Sequence, residues 1–207
     1  MFIVLEGLDG CGKGTQAQIL VERLKAKLFK YPDRTTPIGK VIDAWLKGEV
    51  FLSKTPRPPA TAAFEVSPHE AVALQALLLA NKIEVQTSLD SALRRGFVVA
   101  DRYTPSAVAY GTADGLPTEW LLNSHSALTK PDLYVVLDIP VEESFRRRPE
   151  RAEAYEANRG RLTKAAAIYR ALASYNLLGV PVVSVDGTRP VDVVAADVWR
   201  AVEHYCP

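Results

Sequence analysis

Short runs of β-branched and aromatic residues alternate along the chain with stretches whose apolar positions recur every three to four residues. Phe2–Glu6 is apolar and followed by glycines, which reads as a buried strand. From Thr15 to Leu28, the residues Ile19, Leu20, Leu24 and Leu28 fall on one face of a helix. Lys27–Tyr31 is a further strand candidate, ended by Pro32. Pro37–Gly48 reads as a helix with proline near its start and glycine as its stop. Ser67-Pro68 opens one long helix that runs to Arg95, where Gly96 ends it. Phe97–Ala100, Tyr134–Leu137 and Val180–Val185 are three more strands with helical stretches between them, and a last helix runs from about Val191 to Tyr205. Residues 53–63 form a Pro-rich loop too short to link domains. Fully apolar strands alternating with helices predict a parallel sheet covered on both faces.

Composition narrows the function classes. The 25 Lys and Arg nearly balance 24 Asp and Glu, for a net charge of +1. A protein that coats nucleic acid needs a cation excess, so that class is disfavoured. No apolar run is long enough to span a membrane, and Phe2–Leu5 lacks the basic flank of a signal peptide. The two cysteines, Cys11 and Cys206, exclude a disulfide framework and a four-thiolate zinc site. The expectation is one cytoplasmic domain.

Gly7-Leu8-Asp9-Gly10-Cys11-Gly12-Lys13-Gly14-Thr15 lies directly between the first strand and the first helix. That is the setting of a phosphate-binding loop, in which backbone N–H groups and the helix N-terminus face an anion and Lys13 reaches its outer phosphates. A glycine-rich turn with a solvated lysine is the plainer alternative. The hydroxyl that usually follows the lysine is displaced, because Gly14 stands there and Thr15 comes one residue later. Mg²⁺ would then be held by substrate phosphates and water, with Asp9, Asp101 and Thr15 acting through water.

The opening through Thr15-Gln16 resembles that of thymidylate kinases, within the nucleoside monophosphate kinases. Further blocks agree in order: Lys30-Tyr31-Pro32-Asp33-Arg34, Asp101-Arg102-Tyr103-Thr104-Pro105-Ser106, Pro131-Asp132-Leu133, and the looser Glu153-Ala154-Tyr155-Glu156. The Gly14-Thr15-Gln16 ending is closer to adenylate kinases. The resemblance covers nearly the whole chain. It implies a P-loop NTPase-like three-layer α/β fold with a five-stranded parallel sheet, ATP as donor, Mg²⁺ as cofactor, dTMP as acceptor, and a homodimer.

Such a reaction brings two anions together, and like charges ~4 Å apart repel by about 4 kcal/mol near a protein surface. Fixed cations must oppose that repulsion, and positioning supplies most of the catalysis. By resemblance, Arg34 and Arg102 clamp the acceptor phosphate, as the planar guanidinium suits. Asp9 lies near the acceptor sugar's 3′-hydroxyl, and Tyr110 stands against its 2′ carbon. Ser106 and Tyr155 complete the acceptor set. For Asp101-Arg102 a strand-end ion pair is the plainer reading.

Six arginines fall between residues 146 and 161 against three glutamates. The resemblance makes this segment a lid over ATP. Gly10 stands where one subgroup carries a catalytic arginine, so the lid would supply that charge through Arg146 and either Arg147 or Arg151. A solvated basic helix face is the alternative. By resemblance, Val185-Asp186-Gly187-Thr188 lies where the family's adenine loop does, with Gly187 as its contact, and a plain turn explains it as well.

The base pocket departs from the family. Leu78 stands where an aromatic residue is usual and Lys82 where an arginine is usual, both on the long helix. Tyr31 retains an aromatic nearby. A looser pocket would admit dUMP, a modified thymidylate analogue or a deoxypurine monophosphate. From another class, a P-loop ATPase or nucleotide-sensing switch is the rival, against which two acceptor-side arginines argue.

Overall fold

A computed structural model describes residues 1–50, 66–149, 157–175 and 177–205. The Pro-rich segment 53–63 lies outside them.

Strand β1 (Phe2–Gly7) is buried along its whole length and sits at the centre of the sheet. It pairs in parallel with β3 (Val98–Asp101) on one side and β4 (Leu133–Asp138) on the other. The more exposed β2 (Lys27–Lys30) and β5 (Val182–Asp186) form the edges, giving the order β2-β3-β1-β4-β5. The alternation of strand side chains divides the core in two. Ile3 and Leu5 join one cluster with Ala17, Leu20, Leu162 and Val198, while Phe2 and Val4 join another with Leu89, Tyr103 and Tyr134. This is the doubly covered five-stranded parallel sheet that the sequence implied.

Two helix boundaries differ from the sequence reading. Helix α1 (Lys13–Leu24) stops before Leu28, because Lys25 turns into the left-handed region at φ 52° and its N–H bonds the Val21 carbonyl. Leu28 therefore belongs to β2. The long helix expected from Ser67 to Arg95 is two helices, α3 (Pro68–Glu84) and α4 (Gln86–Leu93), broken at Val85 with φ −106° and ψ 1°. The break re-aims the apolar stripe: Leu74 packs in the first cluster, Val85 and Leu89 in the second. Ser67 caps α3 with a capping box to Glu70.

Helix α2 (Pro37–Leu46) starts from a Thr36 cap, whose hydroxyl accepts the Gly39 N–H at 3.1 Å. A Cβ on Gly39 would lie 1.7 Å from the Asp33 carbonyl oxygen, so the chain needs glycine for this close approach. Gly39→Ala is expected to cost roughly 1–3 kcal/mol, or more if the loop cannot yield. That is about 2–4 °C of melting temperature per kcal/mol at this chain size. An unchanged thermal melt would contradict the packing.

Among the described residues the remaining helices are α5 (Thr104–Ala113), α6 (Thr118–Ser124), α7 (Val141–Arg147), α8 (Arg159–Tyr175) and α9 (Val191–Tyr205). The order reverses around β1, and in such sheets the crevice beyond the strands' carboxyl ends receives ligands.

Candidate active site

The loop after β1 wraps back over itself. Gly7 ends the strand, Gly12 caps α1, and Gly14 and Thr15 lie exposed in the helix's first turn. Lys13 is buried, and its ammonium donates to the Gly7 carbonyl at 3.0 Å and the Leu8 carbonyl at 2.9 Å. The buried Cys11 thiol lies 3.7 Å from the same nitrogen, and burial pushes its pKa up. Gly187 packs against this loop, since a Cβ there would meet the Cys11 carbonyl at 3.2 Å.

Arg102 follows β3 in the left-handed region at φ 71° and turns its guanidinium toward the loop. One nitrogen donates to Asp9 Oδ1 at 2.5 Å, the other to Ser106 Oγ at 3.0 Å. Burial disfavours the Arg102 charge, but the Asp9 carboxylate holds its pKa above the ordinary value. Tyr110 donates to Asp9 Oδ2 at 3.2 Å, so both carboxylate oxygens are engaged.

Beneath this pair lies Glu6, fully buried and assigned no role by the sequence reading. It accepts from the Tyr103 N–H at 2.6 Å, the Ser106 N–H at 3.3 Å, the Ser106 hydroxyl at 2.5 Å and the Tyr169 hydroxyl at 3.2 Å. Burial raises its pKa, and Arg102 opposes that shift. With both hydroxyl protons turned to Glu6, the Ser106 and Tyr169 oxygens offer lone pairs to Arg102, at 3.0 and 3.5 Å. A lone carboxylate ending an apolar strand was the available signal, because a buried charge must be paired. Tyr169, on α8, carried none.

A cleft of about 820 Å³ opens beside this cluster. Its lining includes Asp9, Tyr31, Arg34, Leu78, Lys82 and Arg102. Ser106, Tyr110 and Asp101 join them, so every acceptor-side residue expected from the sequence meets there except Tyr155, which lies outside the described residues. Arg34 pairs with Asp43 at 2.8 Å and is half exposed. Tyr31 packs on Tyr103 with ring centroids 5.2 Å apart, and its hydroxyl is buried without a partner. Lys82 is buried, donates to the Leu78 carbonyl at 3.2 Å, and has its pKa lowered by burial to about 8.

Helix α7 and the residue after it bring Arg147 and Arg148 onto the phosphate loop. The Ser144 hydroxyl donates to the Asp9 carbonyl, and Arg147 donates to the Gly10 and Thr188 carbonyls, each at 3.3 Å. A Cβ on Gly10 would meet Arg147 Cβ at 3.4 Å and Arg148 Cγ at 3.5 Å, so glycine leaves room for these stems. Arg148, missed from sequence, lines the cleft with a nitrogen 4.0 Å from Asp9 Oδ1. Arg146 instead forks onto Glu143 at 2.7 and 2.6 Å, largely exposed. Arg151 lies outside the described residues.

Among the described residues, no group of three or more His, Cys, Asp or Glu side chains gathers as a metal cage. Asp101 Oδ1 is buried without a hydrogen-bond partner, and Oδ2 lies 3.8 Å from where a Gly14 Cβ would stand. One unengaged carboxylate beside a phosphate loop fits Mg²⁺, which binds through one or two carboxylates together with substrate phosphates and water.

Residues 5–198 match the family model described as thymidylate kinase. A thymidylate kinase of Schizosaccharomyces pombe is 36% identical over 160 residues, covering 74% of this chain and 68% of the relative. One of Dictyostelium discoideum is 33% identical over 163 residues, covering 75% and 66%. The aligned stretch thus spans about two thirds of each relative. The solved thymidylate kinase of Candida albicans, described as revealing the origin of broad substrate specificity and a novel structural element, superposes with a TM-score of 0.79 at 30% identity. That match covers 98% of this chain and 91% of the other. A glycine-rich loop between β1 and α1 beside a cleft lined by Arg34 and Arg102, on this sheet order and with a family match over residues 5–198, makes the chain a member of the thymidylate kinase family.

Proposed function

We propose that the protein transfers the γ-phosphoryl group of ATP to the phosphate of dTMP, giving dTDP and ADP. The observation that carries this reading is the Asp9–Arg102 pair lining the 820 Å³ cleft, with Arg34 on its wall and Lys13 buried in the same loop as Asp9. The phosphate loop and Lys13 hold the donor phosphates. Arg102 and Arg34 hold the acceptor phosphate, so that donor and acceptor oxygens meet in line. Both substrates are already anionic, so the work is positioning and charge stabilisation rather than strong base catalysis.

Asp9 and Tyr110 set the sugar. The carboxylate accepts the 3′-hydroxyl, and the buried Tyr110 ring leaves little room for a 2′-hydroxyl. Mg²⁺, when bound, neutralises charge on the transferring phosphates, and Asp101 is the group here that would hold it, directly or through water. Arg147 and Arg148 would bring lid charge over the loop, and closure would exclude water. The single kinase domain with a lid at about 146–161, the homodimer and the cytoplasmic setting belong to this proposal; the lid and the homodimer rest on the family resemblance, the single domain and the cytoplasmic setting on length and composition.

A second reading, altered base choice, is favoured by one observation: the wall of the cleft holds Leu78 and a buried Lys82. Leucine offers no stacking face, and base stacking on an aromatic is worth about 1–3 kcal/mol. Measuring ADP release from ATP and Mg²⁺ with dTMP, dUMP, UMP, dGMP, dAMP and dCMP tests both readings. The expected result is strongest turnover with dTMP, weaker with dUMP, and least with the ribose substrate UMP. A deoxypurine preference would overturn the thymidylate assignment, and hydrolysis independent of any acceptor would overturn the kinase.

A further inference from the structure

Asn81 has no exposed surface, yet the cluster around Arg102 uses none of its hydrogen bonds. Its Oδ1 accepts the Asp33 N–H at 2.8 Å. Its Nδ2 donates to the Asp33 carbonyl at 3.1 Å, to Thr36 Oγ1 at 2.8 Å and to Glu84 Oε2 at 3.2 Å. One carboxamide thus grips both backbone polar groups of the residue that precedes Arg34.

The loop has internal bonds, but they run among its own members. Asp33 Oδ1 accepts the Thr35 N–H at 3.0 Å and hydroxyl at 2.7 Å, and the Thr36 hydroxyl donates to the Asp33 carbonyl at 3.0 Å. These fold the loop without fixing it to the cleft. Attachment to α3 comes from Asn81 and from Glu84, whose Oε1 accepts the Ile38 N–H at 3.2 Å. Asn81 stands beside Lys82 and one turn from Leu78, two residues that line the cleft. The wall of the cleft and the loop carrying Arg34 are therefore joined through this buried amide.

We propose that Asn81 is a positioning residue for the acceptor phosphate, holding the Asp33 backbone on α3 and so setting where Arg34 enters the cleft. The proposal rests on the reading that Arg34 binds that phosphate. A residue acting this way moves acceptor affinity through Arg34 and leaves the donor side alone.

Steady-state kinetics of Asn81→Ala, Arg34→Ala and the double variant, with thermal melts of each, test it. Asn81→Ala is expected to raise the KM for dTMP about 10-fold, with kcat within about 3-fold and the KM for ATP unchanged. In the Arg34→Ala background, the same change is expected to add less than about 2-fold, because the residue it acts through is gone. Should Asn81→Ala unfold, Asn81→Ser carries the same comparison: it leaves a smaller void, puts no charge beside Glu84, and withdraws the carboxamide from Asp33. Multiplicative effects of the two substitutions would overturn the proposal, as would equal rises in both KM values. A rise with Arg34→Ala but none with Asn81→Ala or Asn81→Ser overturns this proposal alone. No rise with Arg34→Ala overturns the reading of Arg34 and this proposal with it.

Discussion

Arg102→Ala is expected to lower kcat with ATP and dTMP by roughly 10³-fold, with the KM for ATP little changed. The guanidinium is buried between a carboxylate and two hydroxyls, with its fork already formed before any phosphate arrives. Pre-set geometry of this kind costs no reorganisation in the transition state, which is why one donor is worth so much. Removing it also takes the nearest cation, at 2.5 Å, from Asp9, which faces the incoming anions, so repulsion adds to the lost attraction. The left-handed backbone at φ 71° does not confuse the result, because arginine and alanine both carry a Cβ and share that strain. Arg102→Lys supplies the control. It keeps a charge but loses the planar fork, and roughly 10- to 100-fold loss is expected. Near-normal turnover of the alanine variant, with an unchanged melt, would contradict the clamp.

Much of this site was legible because its residues sit where the chain changes element. The phosphate loop lies between a β-branched run and a helix, and Asp101-Arg102 ends another such run, so local signals mark both. The sheet was legible for the same reason: Phe2–Leu5 is apolar without interruption, as a strand covered on both faces must be. What escaped depends on tertiary packing. Val85 breaks a helix whose apolar period continues through it, because the second half must face a different cluster. Glu6 and Tyr169 are 163 residues apart and meet only in the fold. That Arg147 and Arg148 reach the loop while Arg146 pairs with Glu143 turns on where α7 docks. Arg146 and Arg147 point about 100° apart around α7 and Arg148 follows its end, so only the docked geometry decides which reach the loop.

Lys13→Met is expected to lower kcat by about 10²- to 10³-fold while dTMP still binds, because it empties the donor side and leaves Arg102, Asp9 and the cleft in place. The ammonium in this structure is not waiting in solvent. It is buried and donates to the Gly7 and Leu8 carbonyls, so reaching ATP means exchanging those bonds for phosphate oxygens. Bonds from a charged donor are worth roughly 1.5–3 kcal/mol each, and a polyanion in the same loop offers stronger partners. That exchange makes Lys13 serve two states, organising the empty loop and then neutralising the donor. Methionine keeps most of the stem and removes both roles, so some loss of thermal stability should accompany the loss of rate. Titration calorimetry separates the contributions. Retained dTMP affinity with kcat abolished places Lys13 on the donor side alone. Equal loss of dTMP affinity would mean instead that the loop collapses onto Asp9 without its lysine, and the separation of donor and acceptor sites argued from Lys13 and Arg102 would fall.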